Sequence, residues 1–143
     1  MRPVWGARVI ATRVVFSPVS RTLACSSLGF HAAYAHCQPC EWAAAPDDPG
    51  LAPRSVESNR VLSEFDAILV SLAWELEVPA LVSALRSCGV EPLRANRPET
   101  APLVIAGGPL TMSNPDLLAP FCDAVFLGEA DNTFERIGLL LDG

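Results

Sequence analysis

The fold of this chain is decided by the stretch Leu103–Val104–Ile105–Ala106–Gly107–Gly108–Pro109–Leu110, an apolar run that ends abruptly in two glycines. A second apolar run, 123–127, ends in the same way at Gly128 and Glu129. Short apolar runs bounded by turn residues are typical of strands buried on both faces of a parallel sheet. Glycine at a strand exit lets a backbone or a ligand come close, because it has no Cβ. We therefore expect the ligand-binding edge at these two exits, since ligands of open α/β sheets lie beyond the carboxyl ends of the strands.

Strands and helices alternate along the whole chain, each marked by its own periodicity. Continuous apolar runs indicate buried strands, whereas an i, i+3, i+4, i+7 repeat that ends at Gly89 indicates an amphipathic helix. This alternation predicts an α/β fold with a doubly wound, flavodoxin- or Rossmann-like, mostly parallel sheet of about five strands. The predicted strands are 14–16 (ending at Ser17–Pro18), 42–45, 65–72, 92–94, 103–106 and 123–127, and the predicted helices are 28–36, 78–88, a short one from Asn114 and a last one from Thr133.

Length and charge limit the classes of function. The 143 residues suit one domain, and half of them are hydrophobic, which is enough for a core. Residues 1–13 are predicted as a basic leader and 14–143 as the folded domain. The net charge of −6 argues against nucleic acid as the main partner. No run has both the roughly 18-residue length and the apolar character that a membrane helix needs, so no membrane is expected. Five cysteines without a secretion signal indicate reduced thiols in a cytoplasmic protein.

Two motifs admit more than one interpretation. Cys37 and Cys40 have the two-residue gap of redox and zinc sites, but the chain has no second such pair. They follow a predicted helix rather than opening one, which favours incidental thiols at a helix end. Trp74, Glu75 and Glu77 follow the clearest predicted strand. Either they line a pocket, or the tryptophan packs under a loop and the acids are solvated in a first helical turn.

Taken in order, the segments of this chain resemble the N-terminal domain of a family of uncharacterised radical S-adenosylmethionine (SAM) proteins. That domain is similar to cobalamin-binding domains, and the resemblance runs from about Val14 to the end of the chain. The residues that carry it are 26–30 with Tyr34, 57–66, 71–76, 102–109, 114–115 and 123–129.

The resemblance implies an accessory role. In such families the domain precedes a barrel whose Cys-x3-Cys-x2-Cys loop binds a [4Fe–4S] cluster and S-adenosylmethionine. This sequence contains no such spacing, which implies an accessory domain, not catalytic alone, whose partner is a radical SAM barrel in the same or a neighbouring chain. The chain is then a fragment, a truncated reading frame or a stand-alone relative. The alternative is a protein-interaction module with no small ligand, in which the apolar residues 139–141 support docking or self-association.

The resemblance also implies cobalamin as a candidate ligand, although neither His31 nor His36 lies in the Asp-x-His-x-x-Gly pattern of histidine-ligated cobalamin. A ligand at the glycine exits would lie near the free N–H groups of helices starting near Asn114 and Thr133. Glu129 either contacts such a ligand or helps to cap the last helix. The predicted walls are Ser71, Trp74, Gly107, Gly108, Pro109, Gly128 and Glu129; no catalytic or metal-binding residue is predicted.

Overall fold

A five-stranded parallel sheet forms the centre of the molecule in the computed structural model, which describes residues 11–127. The strand order β2-β1-β3-β4-β5 is that of flavodoxin-like, doubly wound folds, so the predicted fold class is confirmed. Predicted strands 65–72 and 103–106 are parallel neighbours, with Ser71 opposite Gly107. The strands are β1 (Arg13–Ser20), β2 (Glu41–Ala45), β3 (Ala67–Ser71), β4 (Leu103–Gly107) and β5 (Ala124–Val125).

Helices cover both faces of the sheet. On one face, Phe30 of α2 (Leu28–His36) packs in a cluster with Val15 and Ile105; on the other, Leu81 of α3 (Glu77–Ser87) packs in a cluster with Phe16. The central strands are therefore buried on both sides, as their continuous apolar runs indicate. No helix within residues 11–127 is long and apolar enough to cross a membrane. The helices are α1 (Arg21–Cys25), α2 (Leu28–His36), α3 (Glu77–Ser87) and α4 (Pro109–Ser113), with 3₁₀ turns at Leu62–Glu64, Arg94–Asn96 and Pro115–Leu117.

Four elements differ from the prediction, namely β1, α1, α4 and the segment after Asn114. Strand β1 does not end at Pro18 but continues to Ser20, because a shift in register between Ser17 and Ser20 accommodates the proline in an irregular stretch. The short helices α1 and α4 were not predicted, and the helix expected from Asn114 is only a 3₁₀ turn. The helix expected from Thr133 lies outside the described residues.

Residues 92–94 do not form the predicted strand, because a buried arginine holds this segment in another conformation. The Arg97 guanidinium donates hydrogen bonds to the carbonyl oxygens of Glu91, Pro92 and Phe121 at 2.7–2.8 Å. It also pairs with the Asp123 carboxylate at 3.0 Å. Asp123 in turn accepts a hydrogen bond from the Val104 amide at 2.8 Å. Arg97 thus connects the segment before β4 to the start of β5.

The outer edge of β2 is covered by a loop from the long connection between β2 and β3. The Trp42 amide donates to the Glu57 carboxylate, and the Trp42 carbonyl accepts from the Val56 amide, both at 2.9 Å. Arg60 pairs with Glu41 and lies over the Phe65 ring at 4.6 Å. This loop belongs to the 57–66 segment on which the family resemblance depends, and its polar residues have structural partners.

Replacing Arg97 with methionine should destabilise the domain by about 3–5 kcal/mol, since three carbonyls and the Asp123 carboxylate would lose a buried partner. Arg94 is the matched control. Its side chain is half exposed and lies 3.7 Å from the same carboxylate, so Arg94→Met should cost less than about 1 kcal/mol. Urea unfolding monitored by circular dichroism measures both variants, and similar losses would contradict the role given to Arg97.

Candidate functional site

The strand order places the candidate site at the carboxyl edge, where the chain reverses direction across the sheet. From β1 the chain passes to β2 on one side, then crosses to β3 on the other side. In the order 2-1-3-4-5 this reversal opens a crevice between the carboxyl ends of β1 and β3. Sequence reasoning named the ends of β3, β4 and β5. The topology adds the end of β1, where Ser17 is buried and Ser20 caps α1.

Ser71 and Gly107, two of the predicted wall residues, are brought together at this edge. They are opposite one another in the β3–β4 pair and line a small cavity with Ala33, Leu69 and Ile105. The cavity has a volume of about 10 Å³. That is room for about one water molecule, so a larger ligand would have to lie over this edge rather than inside it.

Gly108 is required by a close approach of backbone. Its φ of 106° and ψ of 179° lie in a region that is essentially restricted to glycine. A Cβ at this position would lie 2.4 Å from the Leu72 carbonyl oxygen. The Leu72 amide donates to the Gly107 carbonyl at 2.9 Å, and the Leu72 carbonyl accepts from the Leu110 amide at 3.1 Å. At Gly108, the space left by the missing Cβ is thus filled by the exit of β3.

Trp74 stands out from the segment between β3 and α3. Its side chain is 67 % exposed, so the interpretation that it packs under a loop is wrong. Glu77 has a structural role, since its carboxylate accepts hydrogen bonds from the Ala73 amide at 2.7 Å and the Trp74 amide at 3.5 Å. Leu76, two residues after Trp74, is 87 % exposed. Pro109 is exposed at the first position of α4.

Exposed apolar side chains collect in the segments that follow the carboxyl ends of the strands. We call this set the carboxyl-edge patch. Ten large apolar side chains are exposed in the described residues, and six of them belong to this set; the other four are Leu51, Val56, Leu93 and Leu117. The patch consists of Leu23 and Leu28 after β1, Trp74 and Leu76 after β3, Met112 in α4 after β4, and Leu127 after β5.

Sequence reasoning found Trp74 but missed the other members of the patch. The sequence did contain a signal for Leu76. Trp74 and Leu76 alternate with acids immediately before a predicted helix, where polar capping residues are usual and large apolar ones are not. Gly128 and Glu129 lie outside the described residues, so their placement at the site stays a prediction.

Three of the thiols, those of Cys37, Cys40 and Cys122, are weak nucleophiles because they are shielded from solvent. Burial raises the pKa of Cys37 to about 11 and that of Cys40 to about 12, and it also raises the pKa of Cys122 to about 12. Because these pKa values lie far above 7, the three cysteines stay protonated at neutral pH, whereas the thiolate is the reactive form. Cys37 and Cys40 lie between the end of α2 and the start of β2, at the amino edge of the sheet. Within residues 11–127, no three His, Cys, Asp or Glu side chains form a possible metal site.

Comparison with protein families shows which family this chain belongs to. Residues 34–142 match the family described as radical SAM proteins, N-terminal. The chain belongs to this family. The matched region starts in α2 and includes strands β2 to β5, with the glycine turn after β4 and most of the carboxyl-edge patch. Membership in this radical SAM N-terminal family implies a radical SAM catalytic domain as the partner. A search of curated proteins found no match.

Replacing Gly108 with alanine should destabilise this radical SAM N-terminal domain by about 3 kcal/mol or more, because backbone strain adds to a clash with Leu72. Gly89 is the matched control. It has a φ of 76°, and a Cβ there would meet nothing within 4 Å, so Gly89→Ala should cost only about 1–2 kcal/mol. Urea unfolding midpoints compare the two variants. Equal losses would show that the contact with Leu72 does not require glycine.

Proposed function

We propose that this domain is a non-catalytic module that packs against a radical SAM catalytic domain through its carboxyl-edge patch. In that position it forms one wall of the substrate site of the complete enzyme. The observation that carries the proposal is the patch itself. Its members come from the segments after β1, β3, β4 and β5, which lie far apart in sequence but border one edge of the sheet.

The hydrophobic effect makes this edge a good docking surface. A fully buried leucine or similar side chain contributes roughly 1.5–3 kcal/mol relative to an exposed one. Covering Trp74 and Leu76 would therefore stabilise a complex appreciably, because both are mostly exposed in the domain. Ligands of doubly wound folds also lie at the carboxyl edge, so a catalytic domain docked there would face the crevice between β1 and β3.

The chemistry of the described residues supports an accessory role. Burial raises the pKa of Cys37, Cys40 and Cys122, which makes these thiols weak nucleophiles at neutral pH, and no three His, Cys, Asp or Glu side chains within residues 11–127 form a possible metal site. The ring of His31 contacts the Cys25 carbonyl on the exposed side of α2, so one of its nitrogens already has a backbone partner. These observations support binding and positioning as the functions of this part of the chain.

The cavity between the ends of β3 and β4 is too small to hold cobalamin. Buried sites for ligands of this kind occupy roughly 300–1,000 Å³, whereas the cavity between the ends of β3 and β4 holds about 10 Å³. The contact of Gly108 with Leu72 also fills the space that a ligand would need at that glycine. Cobalamin is therefore a hypothesis carried by the resemblance, and binding would have to occur on the surface of the edge.

The isolated chain should retain neither of the two cofactors. After treatment with iron and sulfide it should lack the visible absorption of a stoichiometric [4Fe–4S] cluster and should not cleave S-adenosylmethionine. In a second sample, hydroxocobalamin should show no spectral change and should be lost on desalting. Retention of a cluster would overturn the non-catalytic assignment. Retention of cobalamin would show that the carboxyl edge binds a cofactor directly.

The docking surface is tested with a radical SAM catalytic domain from another member of the same family. Sedimentation measures complex formation with the unchanged chain and with Trp74→Ser/Leu76→Ser. The double variant should weaken binding by about tenfold or more, since two apolar side chains no longer become buried. Leu93→Ser is the control, because Leu93 is also exposed but lies before β4, at the opposite edge of the sheet.

Two results would contradict the proposal. One is equal weakening by Leu93→Ser and by the double variant, and the other is binding that neither change affects. Sedimentation of the chain alone tests the alternative of self-association. A dimer that dissociates when Trp74 and Leu76 are replaced would assign the patch to a second copy of this chain.

A further inference from the structure

A second cleft lies away from the crevice, at the outer side of the carboxyl end of β2. Its walls come from three separate parts of the chain, namely Arg21 at the start of α1, Trp42 and Ala44 in β2, and the loop from Pro46 to Val56. The cleft has a volume of about 400 Å³. This lies within the range of roughly 300–1,000 Å³ that small-molecule sites occupy.

Two arginines that form no ion pair line this cleft. The ion pairs between described residues are made by Arg60, Arg94 and Arg97, and neither Arg21 nor Arg54 takes part. The Arg21 guanidinium lies over the Trp42 ring at 5.4 Å, which orients it and leaves its N–H groups free to donate.

The position of the Arg54 side chain is fixed by a hydrogen bond to the backbone of the same loop. Its Nη1 atom donates to the Asn59 carbonyl at 2.9 Å, within the tight loop that covers the edge of β2. Guanidinium carries five N–H donors, so this bond leaves others available for a ligand. Held guanidinium groups of this kind suit carboxylate and phosphate oxygens, which they bind in bidentate pairs.

The rest of the lining is largely apolar. Leu51 and Val56 are both exposed and stand beside Trp42 and Ala44 at the cleft. Asp47 is the one acid in the lining, so the two arginines leave a net charge of +1. An apolar wall next to two guanidinium groups matches a ligand that has an apolar body and an anionic head.

We propose that this cleft is a binding site for a small organic anion, whose carboxylate or phosphate group is held by Arg21 and Arg54 while its apolar part lies against Trp42 and Leu51. The site is separate from the carboxyl-edge patch and does not depend on the proposed docking to a catalytic domain. None of its residues is a member of the patch.

Calorimetric titration of the whole chain tests the site with four probes. Benzoate and phenyl phosphate carry both parts of the proposed ligand, benzamide lacks the charge, and inorganic phosphate lacks the apolar part. Benzoate or phenyl phosphate should bind with a dissociation constant on the order of 1 mM or tighter. Benzamide and inorganic phosphate should each bind at least about tenfold more weakly. Whichever aromatic anion binds more tightly identifies the head group.

Variants locate the bound anion. Arg21→Gln and Arg54→Gln should each weaken binding about tenfold, since each removes a charged hydrogen-bond donor. Arg86→Gln is the control, because it makes the same change in net charge at an exposed residue of α3 that does not line the cleft. Asp47→Asn should strengthen binding severalfold by removing the acid from the lining. Unfolding midpoints confirm that each variant is folded.

Three results would overturn the proposal. They are the absence of binding by both aromatic anions, equal weakening by Arg86→Gln and the two cleft variants, and binding of benzamide as tight as that of the tighter-binding aromatic anion. The outcomes are independent of the docking experiment, since the Trp74→Ser/Leu76→Ser variant should bind the anion as the unchanged chain does.

Discussion

The architecture of the carboxyl edge depends on the backbone of Leu72. Its amide and carbonyl are both engaged by the turn after β4, through the Gly107 carbonyl and the Leu110 amide. The Leu72 peptide group occupies the place that a Cβ would take at Gly108. The segments that follow β3 and β4 are therefore in direct contact where they leave the sheet. The segments that carry Trp74 and Met112 start from this junction, so their side chains are displayed at one edge. Arg97 has the corresponding role near the start of β5, where one guanidinium connects residues 91–92, before β4, to residues 121–123.

The two central strands could be predicted from sequence because of their position. Ala67–Ser71 and Leu103–Gly107 are almost wholly apolar, and such runs are stable only where both faces are covered. Capping residues in the sequence also predicted the start of α2 and the end of α3 correctly. The Ser27 hydroxyl accepts from the Phe30 amide at the start of α2, and Gly89 follows the end of α3 with a positive φ.

The remaining elements depend on contacts that are distant in sequence. Helix α4 starts at a glycine with no side-chain cap and is anchored by Leu72, 38 positions before Leu110 in the numbering. The conformation of 92–94 depends on a guanidinium that reaches Phe121 and Asp123. The candidate site at the carboxyl edge was predicted only in part, because exposure also depends on contacts that are distant in sequence. Apolar character alone does not separate a buried leucine from an exposed one such as Leu76, and neither arginine of the β2 cleft stands in a recognisable motif.

The connection between β2 and β3 consists of two parts with different constraints. Residues 54–61 protect an edge strand, because Val56 and Glu57 satisfy the backbone groups of Trp42 that another chain would otherwise pair with. Shortening this part would expose a template for strand addition and favour aggregation. Residues 46–52 make no such ladder and contribute mainly side chains to the cleft. Related chains can therefore change the ligand that the cleft accepts through substitutions or insertions in 46–52, while the edge of the sheet stays closed.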